Sequence, residues 1–159
     1  EQVIKERESV AEDLRNNLKD CQGENAILIE ESEEVVMITV QDDLGFNAGQ
    51  AMILDTMVPT LQGIANVVAD YPEWEVFVEG FTDDKKILEE YQEKYPSNWE
   101  LGAFRAAAVV RYMTNNLGLD ADRFAAVSYG PYRPLADNDT PEGRALNRRV
   151  RFTLHRVEM

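Results

Sequence analysis

The sequence predicts an α+β fold, a mixed sheet with helices packed on one face, preceded by an N-terminal helix. Three observations carry this. Several short segments alternate apolar with polar residues, the period of a half-buried strand. Two longer segments repeat their apolar residues at spacings of three and four, the period of a helix facing a core. These segments follow one another as ββ, α, β, α, β, β, an order that suits one sheet with its helices on one side.

Each element has its own signal. Glu1–Gln22 reads as an exposed helix with Val3, Val10, Leu14, Leu18 and Cys21 on a broken stripe. Arg7 and Asn17 interrupt its heptad positions, so both a linker helix and a dimer seam fit. Ala26–Glu30 and Val35–Val40 are β-rich and flank the polar run Glu31–Glu34, as in a hairpin. Asp42–Gly49 is a loop. Asp55–Ala69 is helical through Met57, Leu61, Ile64, Val67 and Val68, with Pro59 in the first turn, where its missing N–H costs little. Trp74–Glu79 alternates as a strand. Gly80–Pro96 is a polar insert with one helical turn at Ile87–Gln92. Ser97 and Glu100 then form an S-x-x-E capping box, and the helix runs to about Leu117, ended by Gly118. Arg123–Ser128 and Arg149–His155 are the last strands, joined by a Pro/Asn/Asp loop over Gly130–Gly143.

Composition narrows the function. In 159 residues, 30 acidic residues against 16 basic leave a net charge of −14. That balance opposes non-specific nucleic-acid binding, which needs Lys and Arg to displace counterions, and adsorption to anionic lipid. The charge is uneven: residues 1–43 carry −9, residues 44–100 carry −8 and residues 101–159 carry +3. A solvated acidic surface explains the first two blocks, and a local anion site explains the third. One Cys cannot close an internal disulfide, and one His argues against most zinc sites. Asp137–Gly143 looks faintly like a calcium loop, but Pro141 and the short spacing break the pattern. No metal or cofactor is expected. No apolar run approaches the roughly 20 residues of a membrane span. The chain begins at Glu1 without Met, so it reads as a fragment whose signal or anchor lies upstream.

Certain motifs go further. Leu44–Ala51 (LGFNAGQA), Val78–Asp83 (VEGFTD), Tyr95–Leu101 (YPSNWEL) with Arg105-Ala106, Tyr129-Gly130, Pro134 and Gly143–Val150 (GRALNRRV) occur in a specific order. In that order the chain from Leu44 onward resembles the OmpA-like peptidoglycan-binding domain family, whose sheet is written βαβαββ. It is most similar to the C-terminal domain of MotB-like flagellar stator B subunits. The resemblance implies a linker or stalk helix over residues 1–23 and the domain over residues 24–159. It implies a non-catalytic module of a membrane-tethered periplasmic protein in a Gram-negative-type envelope, acting as a homodimer. Its ligand would be the stem peptide of peptidoglycan, gripped at the zwitterionic end of diaminopimelate.

The resemblance also assigns residues. Asp83 matches the carboxylate that pairs with the ligand's ammonium, and Arg105 the guanidinium that forks onto its carboxylate. Asn98 matches a hydrogen-bonding residue of the site. Phe81 and Thr82 precede Asp83 in the strand-end motif, Leu101 stands between Asn98 and Arg105, and Asn147, Arg148 and Arg149 match the bordering motif. Spacing agrees: Asn98, Leu101 and Arg105 share one helical face, and Asp83 follows a strand. On pattern alone, Asp83 also reads as a turn cap and Arg105 as a surface helix arginine. Arg148 and Arg149 alternate, so one faces inward, towards loop acids such as Asp137 or Asp139. Trp74 and Trp99 read as core or cleft wall, with a sugar platform open for Trp99.

Four positions depart from the family pattern. Phe81 replaces His, Gly102 replaces the Ser after Leu, Ser128 stands where Gly precedes Tyr, and Pro131 replaces an acid. Each lost contact at the first two would weaken binding by about 1 kcal/mol if buried and paired. They motivate an alternative, a fold kept for oligomerisation or assembly with weakened ligand binding. A hydrolase is disfavoured, because Asp83 and Asp84 are adjacent and no Ser–His or Cys–His set exists.

Overall fold

Burial alternates along Ile27–Ser32 and along most of Arg149–Arg156, the mark of strands with one face turned to a core. The computed structural model describes residues 1–21 and 26–157. Its elements are α1 (Gln2–Leu18), β1 (Ile27–Ser32), β2 (Val35–Gln41), the single turn α2 (Asp42–Gly45), α3 (Val58–Asp70), β3 (Trp74–Phe81), α4 (Asn98–Arg111), β4 (Phe124–Gly130), α5 (Pro141–Asn147) and β5 (Arg149–Arg156). The strands lie in the order β1-β2-β5-β3-β4. Only β3 and β4 run parallel, and α4 supplies the crossover that a parallel pair requires. The last strand enters the middle of the sheet, so Ile38, Phe152 and Val78 lie abreast across β2, β5 and β3. These residues, with Trp74, Val76, Val150 and Leu154, form the sheet's side of one core, closed by α1, α3 and α4. The mixed α+β architecture expected from the sequence is the one observed.

The helix expected to be exposed over Glu1–Gln22 is instead built into that core. Val10, Ala11, Leu14 and Leu18 are buried, and α1 packs on α3. Close approach is possible because Gly63 has no side chain; a Cβ there would lie 2.7 Å from Leu18. The polar side is tied down too. Tyr71 donates its hydroxyl to Asp13 at 2.6 Å, and the Trp74 indole N–H donates to Glu6 at 2.6 Å. Arg7, which breaks the heptad, faces Glu31 at 3.3 Å, and Arg15 reaches the same residue at 3.1 Å. The stripe offered as a dimer seam is therefore spent inside its own chain. The expected boundary between residues 23 and 24 lies outside the described residues, as does Gln22.

Two further expectations are corrected. The loop over Gly130–Gly143 leads into α5, where Thr140 accepts the Gly143 N–H and Pro141 occupies the first turn. The helix after Ser97 ends its α-helical part at Arg111 and widens into a π turn over Tyr112–Asn116 before Gly118. No helix among the described residues is long and apolar enough to cross a membrane.

Candidate functional site

Two glycines bring the site's main elements together. Gly80 near the end of β3 faces Gly102 in the first half of α4, so closely that a Cβ on Gly80 would overlap the Gly102 carbonyl. This contact sets the N-terminal half of α4 against the strand end that leads into Thr82 and Asp83. Ser97 starts the helix by accepting the Trp99 N–H at 3.2 Å while its hydroxyl donates to Glu100, and that bond lowers the Glu100 pKa. Asn98 donates from its side-chain amide to the Lys85 carbonyl at 2.9 Å, and Lys85 N–H donates to Asp83 at 3.0 Å. Leu101 packs with Ile87 and Tyr95 in a small second cluster. The insert after β3 is thereby clamped onto the start of α4.

The result is a cleft of about 320 Å³ lined by Thr82, Asp83, Asn98, Leu101, Arg105 and Arg148 among others. Six of the nine residues expected at the site therefore share one cavity. Charges alternate across it. Arg105 donates to Asp42 at 2.8 Å, Arg148 approaches Asp42 at 3.5 Å, and Arg148 donates to Asp83 at 2.8 Å. Arg105 is 2% exposed, not the surface arginine its pattern alone allows. Its other bonds go to the carbonyls of Gln50 at 2.7 Å and Asn47 at 3.3 Å, and its guanidinium lies 4.8 Å from the Phe46 ring centroid. Three of its five N–H donors are taken, and two remain without a partner among the described residues.

Burial pushes the Asp42 carboxyl above its ordinary range, opposed by Arg105 and then Arg148. For Arg148, burial lowers the pKa, but Asp83 and Asp42 outweigh it and hold the guanidinium above its usual value. The set is a chain of buried and half-buried opposite charges, costly to break by removing one member.

Three expected residues lie elsewhere. Asn147 is fully buried beneath the loop before α5. Its Oδ1 accepts from the N–H groups of Leu135 and Ala136 at 2.7 and 2.9 Å, and its Nδ2 donates to Ala136 O and Asn138 Oδ1 at 2.9 and 2.8 Å. Arg149 and Phe81 project on the opposite sheet face, where the guanidinium lies 3.8 Å from the ring centroid and Tyr129 stacks at 5.1 Å. Arg149 reaches the carbonyls of Asn147 and Arg133 rather than Asp137 or Asp139, and burial, then Arg151, push its pKa down to about 10. The residue that replaces the family's His is thus outside the cleft.

A family model described as the OmpA family matches residues 45–148. The chain belongs to the OmpA family. It is 34% identical over 145 residues to Motility protein B of Bacillus subtilis (strain 168), covering 91% of this chain and 54% of that protein. The chain thus spans about half the length of that curated relative. Among solved structures, a MotB-like protein from Desulfovibrio vulgaris superposes with a TM-score of 0.88 at 26% identity, covering 99% of this chain and 96% of that one. The cell wall anchor of the T6SS from Pseudomonas aeruginosa superposes with a TM-score of 0.80 at 30% identity, covering 95% and 99%. The expected OmpA and MotB-like resemblance holds.

Two of the departures expected from the resemblance, Gly102 and Ser128, meet in space. A Cβ on Gly102 would lie 2.5 Å from the Ser128 hydroxyl, so the two positions compete for one space. Here β4 fills it with Ser128 and α4 yields with Gly102. Asp42 is the residue that sequence reasoning missed. It sits just past β2, far in sequence from its partners, and its only local signal was an acid directly after a buried strand.

Proposed function

We propose that this domain is a non-catalytic peptidoglycan anchor that grips the diaminopimelate end of the stem peptide. The observation that carries the reading is the cleft with Asp83 and Arg105 on its wall, each held by an opposite charge of the protein. The ligand's ammonium joins Asp83 beside Arg148, and its carboxylate takes the two remaining donors of Arg105 beside Asp42. Both protein charges are oriented before the ligand arrives, so little ordering is left to oppose binding. Thr82, Asn98 and Leu101 shape the cavity. Asn147, Arg149 and Phe81 support its surroundings.

The family membership and the likeness to a cell wall anchor support this reading. A periplasmic location, an upstream membrane tether and a role in a flagellar motor belong to the same proposal. A homodimer would use a surface other than the buried stripe of α1. The two departures that motivate the assembly alternative, Phe81 and Gly102, do not line this cleft, which favours the anchor reading over it.

Sedimentation with purified sacculi tests the proposal. Asp83→Asn removes the charge at nearly constant shape and is expected to lower the bound fraction as a loss of about tenfold or more in affinity. Arg105→Lys, which keeps the charge but loses the fork, is expected to fall in the same direction. Undiminished sedimentation of both variants would refute the anchor reading.

A further inference from the structure

On the sheet face turned away from α1, α3 and α4 lies a cavity of about 270 Å³ that the stem-peptide reading leaves unused. Strand register builds its floor. Leu28 of β1, Thr39 of β2 and Arg151 of β5 stand abreast in one row, and Gln41 and Arg149 stand abreast in the next. Val36, Ile38, Val40, Val150 and Phe152 fill the core, so the residues that alternate with them on β2 and β5 face outward. Leu135 from the loop before α5 and Leu146 from α5 complete the wall.

The floor is cationic and short of acid. Arg151 donates through Nε to Glu79 Oε1 at 2.7 Å, and the same oxygen accepts the Thr153 hydroxyl at 2.7 Å. Arg149 is 3% exposed and meets only the carbonyls of Asn147 and Arg133 and the face of the Phe81 ring. Burial and then Arg151 depress its pKa, with Glu79 acting the other way, as befits a positive charge without a close counter-charge. Glu30 also lines the cavity but forms no ion pair with either arginine among the described residues. Donors and acceptors are left over as well. Nη1 and Nη2 of Arg151, the Thr39 hydroxyl and the Gln41 amide have no partner among the described residues, and all of them reach solvent.

Above this floor the walls are aliphatic: Leu28, Leu135 and Leu146 are 54%, 62% and 50% exposed. A fork for an anion, an amide beside it and a branched apolar wall together complement the last residue of a polypeptide. The terminal carboxylate takes the two Nη groups of Arg151. The last peptide N–H and the carbonyl before it meet Gln41 and Thr39, and the side chain lies against the leucines. Size agrees, because at about 30 Å³ for each water-sized group the cavity holds roughly nine heavy atoms, the size of a leucine with its carboxylate. A long acyl chain exceeds that volume and leaves Gln41 and Thr39 without amide partners. We propose that this cavity captures the carboxyl terminus of a partner polypeptide that ends in an aliphatic residue.

Four probes test this by two-dimensional NMR titration of the whole chain: a hexapeptide ending in leucine with a free carboxylate, the same peptide amidated at its end, the same peptide ending in glycine, and octanoate. The free leucine end is expected to shift the resonances of Thr39, Gln41, Leu146 and Arg151. It is expected to bind about tenfold or more tightly than the amidated and the glycine-ended peptides. Arg151→Lys keeps a charge opposite Glu79 and loses the fork, and Leu146→Glu sets an acid on a half-exposed wall. Each is expected to weaken the leucine peptide about tenfold, and neither residue lines the stem-peptide cleft. A dispersed spectrum of each variant checks that it is folded, and the comparison of free with amidated peptide needs no variant at all. No shifts with any peptide at millimolar concentration, equal affinity for the free and amidated ends, or full affinity in both folded variants overturns the proposal. Octanoate that binds as tightly as the leucine peptide overturns the choice of a polypeptide end in favour of an acyl carboxylate.

Discussion

Gly102 and Ser128 show how a residue-scale departure is absorbed. Adding a hydroxymethyl at Gly102 forces it into the Ser128 hydroxyl and towards the Gly80 carbonyl, 3.2 Å away. Gly102→Ser is therefore expected to cost about 1–3 kcal/mol by overpacking. Combining it with Ser128→Gly is expected to recover most of that loss, since the side chain then occupies the vacated space. Urea denaturation of the two single variants and the double variant measures the coupling, and strictly additive losses would contradict the exchange. Asp42 offers a sharper case. Its removal leaves Arg105 buried without its counter-charge, so Asp42→Ala is expected to cost about 3–5 kcal/mol. Asp83 and Arg105 were legible in the sequence because each sits in a dense motif. Asp42 was not, because its meaning depends on pairing with residues 63 and 106 positions away, which no local pattern records.

At the scale of elements, α1 was read correctly as a helix and incorrectly as free. Periodicity identifies the face that needs covering, and it does not say whether a second copy or the same chain covers it. Here α3 covers it, and Leu14, fully buried, is expected to cost about 2–5 kcal/mol when truncated in Leu14→Ala. A stalk helix would lose almost nothing. The Tyr71–Asp13 contact makes the docking visible through pH. Burial first, then the hydrogen bond to Asp13, push the Tyr71 phenol from 10 up to about 12. The folded protein keeps this proton where the unfolded chain has released it, so the contribution is full below pH 10 and is lost as pH rises through about 12. Denaturation midpoints between those limits are expected to fall less steeply in Tyr71→Phe than in wild type. The helix α5 was hidden for another reason. Its seven residues are too few for a periodic signal, and Asp137–Pro141 supplies the turn chemistry of a loop. The same residues turned out to be the approach to its N-cap.

For the whole molecule, the charge map and the topology agree. The acidic first two thirds of the sequence leave a protein that repels anions in general, while the basic final third contributes arginines such as Arg105 and Arg148 to one local site. The proposed function uses this balance: a ligand that brings both signs in a fixed arrangement suits such a site, and a simple anion does not. The mixed sheet and its helices were readable from periodicity. The entry of β5 into the middle of the sheet was not, yet that placement carries Arg148 to the cleft through the residue just before the strand. The most direct test is a two-dimensional NMR titration with two stem peptides that differ at one atom group. One carries diaminopimelate, and the other carries lysine, which keeps the ammonium and lacks the side-chain carboxylate. The zwitterion account predicts shifts at Thr82, Asp83, Asn98, Arg105 and Arg148 with the first peptide and an affinity about tenfold or more weaker for the second. Equal affinity for both peptides, or no shifts at millimolar concentration of either, would contradict it.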